Sequence, residues 1–284
     1  MSAAVQESLL ELGDDPVPGP VRPERVLLAR GAWVDVQRGW LAGSAALFTR
    51  LAERVPWRAE RRRMYDRTVD VPRLLCFYGE DAELPDPALE ACRQLLSEHY
   101  RAELGEPFRT AGLCLYRDGR DSVAWHGDTT GRGGTEDTMV AILSLGTARP
   151  LLLRPRGGKG ASGNRAVGDG AVGDTAGGAS SGTLRYHLGH GDLLVMGGSC
   201  QRTWEHAVPK SARSTGPRIS VQFRPRGVRY ARSPGRQAHG CACRAPPAGE
   251  PGTPRHVTVW CRRGPSGRPA GTSTPTRCRT SRTP

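Results

Sequence analysis

At 284 residues, with 37 glycines and 23 prolines, the chain can hold one sizeable core that shares its length with loops or unstructured segments. It has no run of 18 apolar residues, which excludes a membrane-spanning helix, and its acidic first fifteen residues lack the basic leader and apolar stretch of a secretory signal. The net charge of +13 resembles a nucleic-acid footprint, but from Tyr230 onward there are ten arginines and one acid, Glu250; subtracting that +9 leaves residues 1–229 with only about +4. A mildly basic body is compatible with phosphate binding without demanding it.

Residues 1–22 are small, acidic and proline-rich and read as a flexible lead. A helix is expected from Ser44 to Val55, with Ser44 as its cap, Leu47, Phe48, Leu51 and Val55 as an apolar stripe, and Pro56 ending it. A second begins at Asp86–Pro87, where a capping residue precedes a first-turn proline. Its Leu89, Cys92, Leu96 and Tyr100 recur at helical spacing, so this face should pack on a sheet.

From about residue 111 the pattern changes to short strand-like runs at 111–116, 138–145, 150–154, 183–188, 192–197 and 218–224, each bounded by Gly, Pro or Asp. Helices followed by many short strands imply an α+β chain ending in a double-sheet jelly roll, a double-stranded β-helix core with N-terminal supporting helices. The main domain then covers 23–229, with a Gly/Ala/Ser-rich flexible loop at 157–182. Residues 230–284, rich in Arg, Pro, Gly and Thr, are expected to be a disordered basic tail. Eight cysteines at 76, 92, 114, 200, 241, 243, 261 and 278 form no tight framework, and with no export signal a reduced, cytoplasmic setting is expected.

The chemistry concentrates in Leu115–Asp128, LYRDGRDSVAWHGD. It ends in His126-x-Asp128, two residues that an extended chain points to the same side. An imidazole and a carboxylate placed so are two-thirds of a facial triad for non-haem iron(II). Such pairs are common on surface loops, so the pair alone defines nothing. The third ligand should be a distant histidine, and His206 in TWEHAVP is the candidate; a buried structural histidine is the alternative there. The strand RISVQFR places Ile219, Val221 and Phe223 on one face and Arg218, Ser220, Gln222 and Arg224 on the other. A solvated edge strand would alternate in the same way. The two arginines, with α-carbons roughly 20 Å apart, could together grip a five-carbon diacid, since guanidinium forks suit carboxylates.

Y-x-D-G-x-D, then H-x-D, a distant H, and R-x-S-x-x-F-R resemble the AlkB family of iron(II)- and 2-oxoglutarate-dependent nucleic-acid dealkylases. The upstream PRLLCFYG at 72–79 resembles the stretch that approaches the damaged base in animal-type members. The resemblance implies Fe(II) on His126, Asp128 and His206, and 2-oxoglutarate held by Arg218 at its distal carboxylate and by Arg224 near its keto-acid end. It places Ser220 with the cosubstrate residues and has Tyr116 donate its hydroxyl. With O2, an N-alkyl carbon is hydroxylated and lost as aldehyde, leaving the restored base, which must first leave the stack.

Two departures from the family stand out. Cys114 replaces the usual Asn, removing a good donor to the cosubstrate, and Thr130 replaces an acid that can read the base's amino group. The expected partner is nucleic acid, alkylated DNA first, bound by a monomer with no membrane association. Two rivals stay open: a dioxygenase acting on RNA or protein, and a nucleic-acid binder without turnover. The Gly168-x-Gly170-x-x-Gly173 and Gly178-x-Ser180-x-Gly182 matches lack a preceding strand, Cys241-x-Cys243 lacks zinc spacing, and His187 and His190 read as surface residues.

Overall fold

The computed structural model describes residues 15–64, 67–157, 164–166, 182–212 and 216–229. The proposed tail at 230–284, most of the glycine-rich loop, and the two rejected glycine motifs apart from Gly182 lie outside the described residues. The chain begins with β1 (Val17–Pro18), β2 (Glu24–Leu27), β3 (Ala32–Gln37), β4 (Leu41–Ala42) and helix α1 (Ser44–Arg54). Two long strands follow, β5 (Arg58–Met64) and β6 (Arg67–Tyr78), then α2 (Pro87–His99) and α3 (Arg101–Leu104). The remainder is β7 (Thr110–Tyr116), β8 (Val123–His126), β9 (Thr130–Gly131), β10 (Val140–Gly146), β11 (Arg149–Pro155), β12 (Asn164–Ala166), β13 (Thr183–Leu188), β14 (Asp192–Gly198), α4 (Cys200–Thr203), β15 (Trp204–Val208), β16 (Arg218–Arg224) and β17 (Val228–Arg229). Among the described residues no helix is long and apolar enough to cross a membrane.

An eight-stranded sheet, ordered β2-β3-β14-β10-β16-β7-β6-β5, faces a five-stranded sheet, ordered β12-β13-β11-β15-β8. This is the expected jelly roll, and two apolar clusters explain its layering. On one side of the large sheet, Leu47 and Leu51 of α1 and Leu89, Cys92 and Leu96 of α2 pack on Leu113, Leu143, Val195, Val221 and Phe223. On the other side, Ile142, Leu194 and Met196 meet Leu151, Leu153, Leu188 and Trp204 of the small sheet. Because strand side chains alternate between faces, each central strand serves both clusters.

α2 starts as expected: Asp86 caps it by accepting a bond from the Ala88 amide, and its apolar stripe is fully buried. α1 differs at its start. Gly43, at φ 62°, precedes the helix, and Ser44 is its first residue and makes no capping bond from position 43. A left-handed entry suits glycine, which has no side chain with which to cap the helix. Val17–Pro18, inside the proposed lead, pairs with Leu41 and Ala42. β16 pairs with β10 on one side and β7 on the other and is buried at every position, so its polar face looks inward, not to solvent.

Candidate metal centre

The two sheets bring three distant residues together. His126 ends β8, and His206 lies directly opposite it on β15, so their imidazoles sit with centroids 4.2 Å apart. Asp128, two residues past the strand, turns in beside them; one ligand atom from each of the three lies within 4.8 Å of the others. His206 and Asp128 are buried, and His126 is partly covered. The residue between the pair, Gly127, has no room for a side chain: a Cβ would lie 2.4 Å from the Gln201 carbonyl oxygen.

Hydrogen bonds orient these groups. His126 Nδ1 lies 2.9 Å from the Ala124 carbonyl, which can only accept, so Nδ1 carries the proton and Nε2 keeps its lone pair. Burial lowers the pKa of His126 and holds that of His206 well below its usual value, so both rings stay neutral. Burial alone would raise Asp128, but the charge and hydrogen bond of Arg224 oppose it and the carboxylate stays ionised. Arg224 Nε donates to Asp128 Oδ2 at 2.6 Å with both side chains buried. Asp128 Oδ1 is also buried and has no hydrogen-bond partner among the described residues. Two neutral imidazoles and one carboxylate oxygen lacking a donor among the described residues are a set that suits a divalent cation.

Beside this cluster lies a pocket lined by Cys114, Tyr116, Arg218, Ser220, Gln222 and Arg224 among others. Arg218 is buried; its Nε donates to Ser144 Oγ at 3.1 Å, while Nη1 has no hydrogen-bond partner among the described residues. Burial lowers the Arg218 pKa, with Tyr116 opposing that shift. The same burial pushes Tyr116 up to about 12, so its hydroxyl stays a donor. A carboxylate would satisfy both the stranded guanidinium nitrogen and the phenol. Every cosubstrate candidate from the sequence, Tyr116, Arg218, Ser220 and Arg224, therefore faces this cavity.

Cys114 also lines it, and its thiol reaches Gln222 Oε1 at 3.7 Å, while Gln222 Nε2 donates to Ser220 Oγ at 2.7 Å. Thr130 opens β9, which pairs with β17. His187 is exposed, as read from the sequence, but His190 is not a surface residue: its Nδ1 accepts the Gly146 amide at 2.6 Å and its Nε2 is buried. Several polar residues of the site were not anticipated. Gln201 Oε1 accepts the Asp128 amide at 3.0 Å. Arg73 lines the cavity from β6, and Arg149 sits buried on β11. An arginine in phase with Leu151 and Leu153 on an inward face was the available signal for Arg149.

A model of the 2OG-Fe(II) oxygenase superfamily matches residues 41–229, and the chain belongs to that family. It is a 2-oxoglutarate-dependent dioxygenase. Within the superfamily it is of the AlkB type. The alpha-ketoglutarate-dependent dioxygenase alkB homolog 3 of Bos taurus is 29% identical over 223 residues, covering 74% of this chain and 71% of that one. The DNA oxidative demethylase ALKBH2 of Arabidopsis thaliana is 26% identical over 205 residues, covering 68% and 63%. The solved structure of OsALKBH1 matches with a TM-score of 0.45 and 13% identity over 71% of this chain and 99% of that one.

Proposed function

We propose that this protein oxidatively removes N-alkyl groups from bases in nucleic acid, alkylated DNA first, with Fe(II) on His126, Asp128 and His206. The observation that carries the reading is the buried Asp128 Oδ1 between two neutral imidazoles, next to a pocket holding Arg218 Nη1, both without a hydrogen-bond partner among the described residues. In this reading Arg218, Tyr116 and Ser144 take the distal carboxylate of 2-oxoglutarate. Arg224 steadies Asp128 and meets the keto-acid end. The bound iron supplies the oxidising power, using O2 and the decarboxylation of 2-oxoglutarate to succinate. The alkyl carbon gains the hydroxyl and leaves as aldehyde, and the base nitrogen takes up the proton.

Two surface features support a nucleic-acid substrate. Phe77 pairs with Gly112 on β7, so it shares the cavity face of the large sheet, yet it is 48% exposed. An aromatic ring at that rim can stack on an extruded base. The edge strand β5 exposes Arg58 and Arg61, cations suited to phosphates.

The test is mass spectrometry of an oligonucleotide carrying 1-methyladenine or 3-methylcytosine, incubated with Fe(II), ascorbate and O2, with and without 2-oxoglutarate. Loss of one methylene mass only with the cosubstrate, and absent in His206→Ala, is the expected result. Succinate release without that loss moves the substrate to RNA or protein. Neither change would overturn the proposal and favour a binding protein.

A further inference from the structure

We propose that Arg149 is a positioning residue that sets the spacing of the two histidine-bearing strands. Its side chain is 1% exposed on the inner face of β11 and lies in no ion pair among the described residues. It instead spends its donors on main-chain oxygens: Nη1 on Asp118 at 2.9 Å, and Nη2 on Asp121 at 2.9 Å and Pro209 at 2.7 Å. These carbonyls belong to two segments. Asp118 and Asp121 lie in the loop from β7 to β8, eight and five residues before His126; Pro209 directly follows β15, three residues after His206.

The two strands need this link. β8 is the edge of the small sheet, and its pairing with β15 is recorded at only His206↔His126 and Val208↔Val123, with a register shift between them. A short, irregular edge pairing fixes strand spacing poorly. The planar guanidinium bridges both chains just beyond the pairing's open end, where a flexible ammonium has no equivalent fork. A carboxylate partner would draw the guanidinium away from those carbonyls. Its absence leaves both terminal nitrogens to the backbone, while the buried Nε makes no hydrogen bond among the described residues. The guanidinium also lies 5.8 Å from the Tyr116 ring, on the cavity side.

The inference rests on His126 and His206 being metal ligands, so the experiment starts with wild-type protein. Anaerobic apoprotein is titrated with Co(II), whose visible d–d bands report affinity and ligand geometry without turnover. Arg149→Lys, which keeps the charge, Arg149→Met, and the control Arg185→Met on β13 are compared at a temperature where circular dichroism shows each folded. Both Arg149 variants should bind Co(II) about 10- to 100-fold more weakly, with altered bands, while the control matches wild type. Unchanged affinity and bands in folded Arg149→Lys overturn the clamp, as does a loss seen only in Arg149→Met, which would make charge the cause. Variants that cannot be obtained folded also overturn it, since Arg149 would then be a general structural residue. Absence of Co(II) binding by wild type would overturn the ligand assignment itself.

Discussion

Replacing Arg224 with methionine tests whether the site is built around an ionised, buried carboxylate. The Arg224–Asp128 contact is 2.6 Å between groups whose side chains are 2% and 0% exposed. Methionine fills similar space but leaves the Asp128 charge without its strongest partner. Breaking a buried pair this way costs about 3–5 kcal/mol, and the Coulomb attraction of charges ~4 Å apart at an effective dielectric of 20 gives about 4 kcal/mol independently. For a domain of this size that is a fall in Tm of roughly 6–20 °C. The assay is urea and thermal unfolding of apoprotein in chelator. Two further readouts follow from the same cause. With the guanidinium gone, burial dominates and raises the Asp128 pKa, so the variant should gain stability as pH falls from 7 towards 5. Wild type has a depressed Asp128 pKa; its contribution is complete above the unfolded value of about 3.9 and is lost as pH falls through the lower folded value. Saturating Co(II) should return about 2.7 kcal/mol at 100 times its Kd in a variant that still binds it. A loss below about 1 kcal/mol, with no change in pH dependence, would refute the view that Arg224 holds Asp128 ionised.

Other predictions concern the remaining parts of the site. Arg218→Met should weaken 2-oxoglutarate binding roughly 10- to 150-fold, the loss of one charge-assisted hydrogen bond worth about 1.5–3 kcal/mol; calorimetry on Co(II)-loaded protein measures it, and unchanged affinity places the diacid elsewhere. Cys114→Asn should tighten the same binding by adding an amide donor in the cavity, and an equal Kd would show that Gln222 and Ser220 already meet that need. Gly127→Ala should reduce metal affinity sharply, because its Cβ would fall 2.4 Å from the Gln201 carbonyl and displace Asp128; wild-type Co(II) bands in this variant would contradict the packing. In the loop before β8, burial opposes the charge of Asp121 but hydrogen bonds from Arg117 win and lower its pKa. Its contribution is therefore present above about pH 4 and disappears as pH falls through the depressed value, which hydrogen exchange of the 117–121 amides would show.

Much of this site was readable because its chemistry follows a period. His126-x-Asp128 and the alternation in RISVQFR translate directly into side-chain direction: His126, Arg218, Ser220, Gln222 and Arg224 line one pocket, with Asp128 beside His126. α2 was equally legible from Asp86–Pro87 and its apolar stripe. The unread parts share a physical cause. β3 is covered on both faces, so it has no alternation, and its Asp35 resembles a surface residue until the Tyr100 hydroxyl at 2.8 Å and the Arg25 guanidinium are seen to satisfy it. β5 and the start of β6 form a hairpin at a sheet edge rich in arginine, a composition that says solvated loop. Arg149 and Gln201 act through main-chain atoms of segments far away in sequence, a relation that no local spacing encodes.

The alternation of β16 also limits how this protein can vary. A one-residue slip of a strand exchanges its faces. Here it would press Arg218, Ser220, Gln222 and Arg224 against the apolar helices and turn Ile219, Val221 and Phe223 towards the cavity. Substitutions can adjust either face separately, but an insertion or deletion anywhere in these seven residues damages the core and the chemistry at once. Length in β16 is thus under a double constraint, and evolutionary drift there is confined to exchanges of residue type.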